Sequence, residues 1–213
     1  RVMNNFSLKD LIIVNPSENW LNDKSINAAK KGNNIIKKVK VFKNLDEALK
    51  KFTYVISTSN RRRYLNKYST HDFKKINSVI STSHKVAIMF GPENSGLSNA
   101  DLRLSDLIFC IDTNNNSNSL NLSHAVSIMC HKIFEFKKLN TKEKKLKKND
   151  FVNKGQLSKY FDYLFGMLSS KNFFVPKEKS QSMKNNIYDI YLKSPLTKKE
   201  LQTLWGITKK LTK

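Results

Sequence analysis

Short apolar runs alternate with stretches of helical spacing through the first 136 residues. The runs fall at 11–14, 39–42, 54–57, 86–90 and 107–111. Each is four or five residues long and dominated by Val, Ile, Leu and aromatic side chains, the length and composition of buried strands. Strands alternating with helical patterns predict an α/β fold with a mainly parallel sheet. Helix starts are marked by Asn44 with Glu47, and by Ser98 with Asp101, the spacing at which a cap and the third helical residue satisfy each other's amides. A longer helix is expected over 120–137, with Leu122, Val126, Met129, Ile133 and Phe136 on one stripe. The opening RVMNNF has the character of the second half of a helix, so an N-terminal strand and half-helix are expected to precede it.

The pattern changes after residue 137. Residues 138–154 form a Lys-rich segment with little apolar content, expected as a linker whose default state is solvated and whose sharper use is RNA contact. Three helical patterns follow in 155–213. Leu157, Phe161, Leu164 and Leu168 make one stripe, and Met183, Ile187, Ile190 and Tyr191 a second. Thr197 and Glu200 precede the third, which carries Leu201, Leu204, Trp205 and Leu211. Helices this short do not bury their faces alone, so they are expected to pack on the α/β domain or on a second protomer.

Charge then narrows the partner. The net charge is +22, from 39 basic and 17 acidic residues. Residues 1–136 carry +9 (20 basic, 11 acidic) and residues 137–213 carry +13 (19 basic, six acidic). A biased genome accounts for abundant Lys and Asn but not for the shortage of acids, so a polyanion such as RNA is the expected partner. Cys110 and Cys130 sit in apolar surroundings without a C-x-x-C pattern and are expected as reduced thiols of a cytoplasmic protein. No apolar run approaches the length of a membrane span.

Candidate chemistry sits where the apolar runs end. The run 86–90 feeds GPENSGL, in which Gly91 and Gly96 permit positive φ and close backbone approach. This is neither a G-x-G-x-x-G fingerprint nor a phosphate-binding P-loop, and an ordinary turn has the same composition. The run 107–111 feeds DTNNNSNSLNLSH, a polar loop leading directly into a helix, whose unpaired amides suit anionic or electron-rich groups. Ser119 there is also a plain helix-cap candidate. Two such loops in series, each after a buried strand, are the way open α/β sheets build ligand sites. The run 54–57 feeds Ser57-Thr58-Ser59-Asn60 and then Arg61, Arg62 and Arg63, three of the five arginines, suited to bidentate phosphate contact. His71, His84, His124 and His131 lack metal-ligand spacing, and no metal is expected.

At these residues the chain resembles a known family. FGPENSGL and SLNLSHA are similar to the second and third motifs of the SPOUT-superfamily RNA 2'-O-ribose methyltransferases. LKDLIIVNP, STSNRRR and the tail from GQLSKYFDYLFGMLSSKNFF to SMKNNIYDIYLKSPLTKKELQTLWGI also match, and the combination is similar to the TrmJ type, which acts on a cytidine or uridine ribose in the tRNA anticodon loop. The resemblance implies a C-terminal trefoil knot in the domain at 1–137, a helical extension at 155–213 for dimerisation or tRNA binding, and a homodimer. It implies S-adenosyl-L-methionine as cofactor, with Thr58, Ser59, Asn60, Gly91, Glu93, Gly96, Ile111, Asn118, Ser119 and Leu120 around it, and Ser119 and Asn121 facing the reacting ribose. RNA would meet Arg61, Arg62 and Arg63. Arg1 matches the arginine that closes the first motif, whose upstream Asn-Gly half is absent. A guanidinium keeps its charge and is a poor base, so Arg1 is expected to pair with a phosphate and orient the hydroxyl. An rRNA 2'-O-methyltransferase of the same superfamily and a non-catalytic RNA-binding protein are the alternatives.

Overall fold

The computed structural model describes residues 1–60, 68–81, 84–114, 120–139, 151–193 and 195–211. In chain order the elements are α1 (Val2–Asn5), β1 (Ile12–Val14), α2 (Asp23–Ala29), α3 (Asn33–Ile36), β2 (Lys40–Phe42), α4 (Leu45–Leu49), β3 (Tyr54–Thr58), β4 (Ser69–Thr70), α5 (Phe73–Ser81), β5 (Val86–Met89), α6 (Asn99–Arg103), β6 (Leu107–Phe109), α7 (Leu122–Leu139), α8 (Lys154–Ser170), α9 (Ser180–Tyr191) and α10 (Lys198–Leu211). The five expected strands are all present, each within two residues of its expected bounds. Among the described residues, every pairing between these strands is parallel, and a single antiparallel bridge joins Phe151 to Thr197 outside them.

The chain divides into two units. The first comprises Arg1–Ala48, Pro92–Asn94 and Thr113–Lys145. Here β1 and β2 pair in register Ile13 to Val41. On α7, Met129 and Ile133 from the expected stripe are buried, whereas Leu122 is 36% exposed because it opens the helix. Phe6, just after α1, packs edge-on against His131 at 5.5 Å and beside Phe134 at 5.7 Å, which holds the N-terminal helix on α7.

The second unit comprises Leu49–Gly91, Ser95–Asp112 and Leu146–Lys213. Its sheet has the order β4-β6-β3-β5. Val55 and Ile56 of β3 are fully buried because β3 is interior, flanked by β5 and β6. The two-residue β4 was not expected from the sequence. Ser69 and Thr70 carry no apolar alternation, and their strand geometry comes from pairing with Ile108 and Phe109.

The C-terminal helices build their own core from Val152, Leu157, Tyr160, Phe161, Leu192 and Leu201. Of the two packing options for these helices, contact with the α/β core is realised within this unit. The Lys154 ammonium donates to Asp106 Oδ1 at 2.6 Å, and the Lys154 amide donates to the Phe52 carbonyl at 2.9 Å. The Arg103 guanidinium at the end of α6 donates to Asp189 of α9 at 3.1 Å. Asp106 also accepts from the Val55 amide at 2.7 Å, so one buried carboxylate ties β3, the start of β6 and the first turn of α8. His84 stacks on Phe151 with centroids 3.8 Å apart. All three expected cap pairs form: Asn44 accepts from the Glu47 amide, and Ser98–Asp101 and Thr197–Glu200 are reciprocal. α8 begins with a further reciprocal pair, Asn153 with Gln156.

Removing one partner of a buried ion pair strands the other charge. Lys154→Ala should therefore lower the unfolding free energy by about 3–5 kcal/mol, and Lys154→Met with Asp106→Asn together by much less; urea denaturation of the three variants checks this. Burial lowers the pKa of His84 from its ordinary 6.5, with Asp106 opposing and Lys154 reinforcing the shift. The folded chain then takes up this proton less readily than the unfolded one. The stabilisation is complete above pH 6.5 and is lost as the pH falls through that value toward the folded pKa. His84→Phe, which can keep the stack on Phe151, should flatten this part of the stability–pH curve.

Candidate functional site

Parallel pairing places the C-terminal ends of β3, β5 and β6 at one edge of the second unit's sheet. β5 and β6 flank β3 although they follow it in sequence, so the connections diverge there, the position at which open α/β sheets bind ligands. The expected residues of this unit, Thr58, Ser59, Asn60, Gly91, Gly96 and Ile111, lie at or just beyond those strand ends, and all are partly buried. Local bonds fix them. Thr58 Oγ1 donates to the Met89 carbonyl at 2.9 Å, and the Ser59 amide donates to the Phe109 carbonyl at 3.1 Å. The Cys110 amide donates to the Thr70 carbonyl at 3.0 Å, extending the tie to β4.

The GPENSGL loop doubles back on its own start. A Cβ at Gly91 would lie 2.2 Å from the Leu97 amide nitrogen and 2.3 Å from the Gly96 carbonyl carbon, so backbone packs directly on backbone. Gly96 has φ +66°, and a Cβ there would find nothing within 4 Å. The first glycine is needed for space and the second for conformation. Buried Leu97 then anchors the loop, and Ser98 caps α6.

Within the first unit, Asn121 takes the cap position of α7. Its Oδ1 accepts from the Ser123 amide at 2.9 Å and the Ser123 hydroxyl at 2.7 Å, while its Nδ2 donates to Glu93 Oε1. This joins the acidic residue of GPENSGL to the asparagine of SLNLSHA. Leu120 is half-buried, and Glu93 and Asn121 are exposed. Arg1 is exposed; its carbonyl accepts from the Asn4 and Asn5 amides, and its backbone seats on Gly32, where a Cβ would be 2.8 Å from the Arg1 nitrogen. Asn118, Ser119, Arg61, Arg62 and Arg63 lie outside the described residues.

Two features had no signature in the sequence. His71, just after β4, pairs with Asp112, just after β6, at 2.6 Å, a contact created by strand pairing alone. Ser57 is fully buried, and its hydroxyl has no hydrogen-bond partner among the described residues. Burial is the main cause of raised thiol pKa values at Cys110 and Cys130, which keeps both protonated and unreactive. Among the described residues no group of three or more His, Cys, Asp or Glu could hold a metal, and no helix is long and apolar enough to cross a membrane.

The sequence profile of the SpoU rRNA Methylase family matches residues 1–131, which includes both motif loops. The chain belongs to the SpoU rRNA methylase family. This SpoU-family chain is 27% identical to the tRNA (cytidine-2'-O-)-methyltransferase TrmJ of Methanocaldococcus jannaschii, over 98% of its own length and 90% of that protein. It is 26% identical to the tRNA (cytidine/uridine/adenosine-2'-O-)-methyltransferase TrmJ of Pseudomonas aeruginosa, over 97% of its length and 84% of that protein. The crystal structure of TrmJ from Z. mobilis ZM4 superposes with a TM-score of 0.87 at 25% identity, covering 100% of this chain and 91% of that one.

The Gly91 geometry gives a sharp expectation. Gly91→Ala must push the Gly96–Leu97 backbone away and should cost about 1–3 kcal/mol of stability. Gly96→Ala meets open space and should cost only the left-handed backbone penalty of about 1–2 kcal/mol. Thermal unfolding, with amide exchange read at the GPENSGL loop, should show the loop opening in the first variant.

Proposed function

We propose that the chain transfers a methyl group from S-adenosyl-L-methionine to a ribose 2'-OH of tRNA, at a cytidine or uridine of the anticodon loop. Family membership and the near full-length similarity to TrmJ enzymes support the reaction class. The structural observation that carries the reading is the bond from Asn121 to Glu93, which joins the two loops of the family motifs. A decayed binding module has no need to keep these two exposed side chains paired.

The residues present fit the cofactor. The open space at Gly96 leaves room for a ligand beside the backbone, and the buried Ser57 hydroxyl adds an unspent polar group to the strand that carries Thr58 and Ser59. Thr58, Ser59, Asn60, Gly91, Gly96 and Ile111 from the strand ends, with Glu93, Asn118, Ser119 and Leu120, are the residues proposed to hold it. When bound, it supplies a methyl group on a positively charged sulfonium, so transfer removes charge and Lewis-acid help is less needed than in phosphoryl transfer.

The chain's own work is then positioning. Holding the acceptor oxygen in line can supply about 7–11 kcal/mol of the barrier reduction. Asn121 has its amide oriented at both ends, by Glu93 and by Ser123, and so can present a fixed hydrogen bond to the ribose without an ordering cost. Ser119 is the second group proposed to face the ribose. Arg1 holds a permanent positive charge and is proposed to pair with the neighbouring phosphate, orienting the hydroxyl as its proton leaves to solvent. The proposed assembly is a homodimer, with the methyltransferase domain at 1–137 carrying the family's trefoil knot and the helices at 155–213 serving as an extension that supports dimerisation or tRNA binding.

Incubation with labelled S-adenosyl-L-methionine and unmodified tRNA, followed by nuclease digestion and mass spectrometry, tests the reading. The expected product is a 2'-O-methylated pyrimidine in the anticodon loop, and a 2'-deoxy target should bind without accepting methyl. Label on rRNA alone would move the substrate assignment; cofactor binding without transfer to any RNA would remove the enzymatic one. Asn121→Ala should reduce kcat at least 100-fold, the order seen when one oriented hydrogen-bonding group is removed from a reacting centre, with cofactor affinity little changed.

A further inference from the structure

We propose that Tyr68 and Lys75 form a stacking platform for an unpaired nucleobase of the RNA substrate. This rests on the RNA reading above and adds a specific contact to it. Tyr68 leads into β4, and its backbone is fixed: its carbonyl accepts from the Ile108 amide at 3.1 Å, and the next two residues pair with β6. Its side chain nevertheless leaves the residue 53% exposed. A single exposed aromatic is ordinary by itself. What distinguishes this ring is the cation held over one of its faces.

Lys75 Nζ lies 4.3 Å from the Tyr68 ring centroid, whereas the other cation–ring contacts of the described residues range from 5.2 to 5.9 Å. The lysine is presented by the first turn of α5, whose start is fixed by the Asp72 amide donating to Thr70 Oγ1 and by the Lys74 amide donating to Asp72 Oδ1. Ring and cation are thus both mounted on ordered backbone. Every nucleobase has a π-face, and aromatic rings in a basic groove hold single-stranded RNA by stacking; Lys75 covers one face of Tyr68, so the base takes the opposite face.

The neighbours favour a nucleobase over a protein partner. Ser69, His71 and Asp72, which follow Tyr68 closely in the chain, are polar and exposed, and the His71–Asp112 pair borders the same strand end, so the exposed chain here is polar. Its position also suits a base close to the target. Ile108, which donates to the Tyr68 carbonyl, lies three residues before Ile111, about 10 Å of extended chain, so the platform borders the strand that leads to the proposed cofactor edge.

The test uses the full chain and an anticodon stem-loop RNA in which each loop base in turn is made abasic. Tyr68→Ala should weaken binding by roughly five- to 150-fold, the range for loss of one base–aromatic stack. In the wild type one abasic position should weaken binding by a similar factor, and in Tyr68→Ala that position should no longer matter. Tyr68→Phe should bind like the wild type, and Lys75→Gln should reduce the salt slope by about one. Wild-type affinity in Tyr68→Ala, or losses that multiply at every abasic position, would overturn the platform. The same samples are assayed for methyl transfer. Tyr68-dependent binding without transfer sinks the enzymatic reading and leaves the platform standing; normal transfer with an unchanged RNA KM in Tyr68→Ala does the reverse. No RNA binding by the wild type sinks both.

Discussion

The sheet unit depends on the carboxylate of Asp106. It accepts from the Val55 amide through one oxygen and from the Lys154 ammonium through the other, while the Asp106 amide donates back to the Val55 carbonyl. The edge between the interior strand and β6, which leads to Ile111, is thereby closed at its start, and the first turn of α8 is fixed to the same point. Burying an ion pair is costly in itself, and it persists where the geometry satisfies both partners. The surrounding groups register that charge: burial, aided by Asp106, pushes the Tyr54 hydroxyl up to about 12.

The anchor lies at the opposite end of the strands from the candidate site. Rigid packing at the N-terminal ends of β3 and β6 leaves their C-terminal ends free to carry polar loops, because the register is already decided when the chain reaches Thr58 and Ile111. The loops are then held by short-range devices: backbone on backbone at Gly91, and in the other unit the shared side chains of Glu93, Asn121 and Ser123. A site built from such bonds presents its groups already oriented, which is what a positioning mechanism requires.

What arises within a turn of helix or a single strand is legible along the chain. Apolar runs placed β1, β2, β3, β5 and β6, and the pairs Asn44–Glu47, Ser98–Asp101 and Thr197–Glu200 placed helix starts, since both partners of each device lie three residues apart. The motif strings also identified the loops at Gly91 and Asn121. The contacts that join distant segments came from folding: Val55 with Asp106 across 51 residues, Asp106 with Lys154 across 48, and Glu93 with Asn121 across 28. Folding also decided that Ser69 and Thr70 form a strand, that His71 meets Asp112, and that Asn121 bonds the first turn of α7. Periodicity and capping are encoded by neighbours along the chain, whereas a charge, an amide or a two-residue edge strand takes its partner from whatever the folded topology brings beside it.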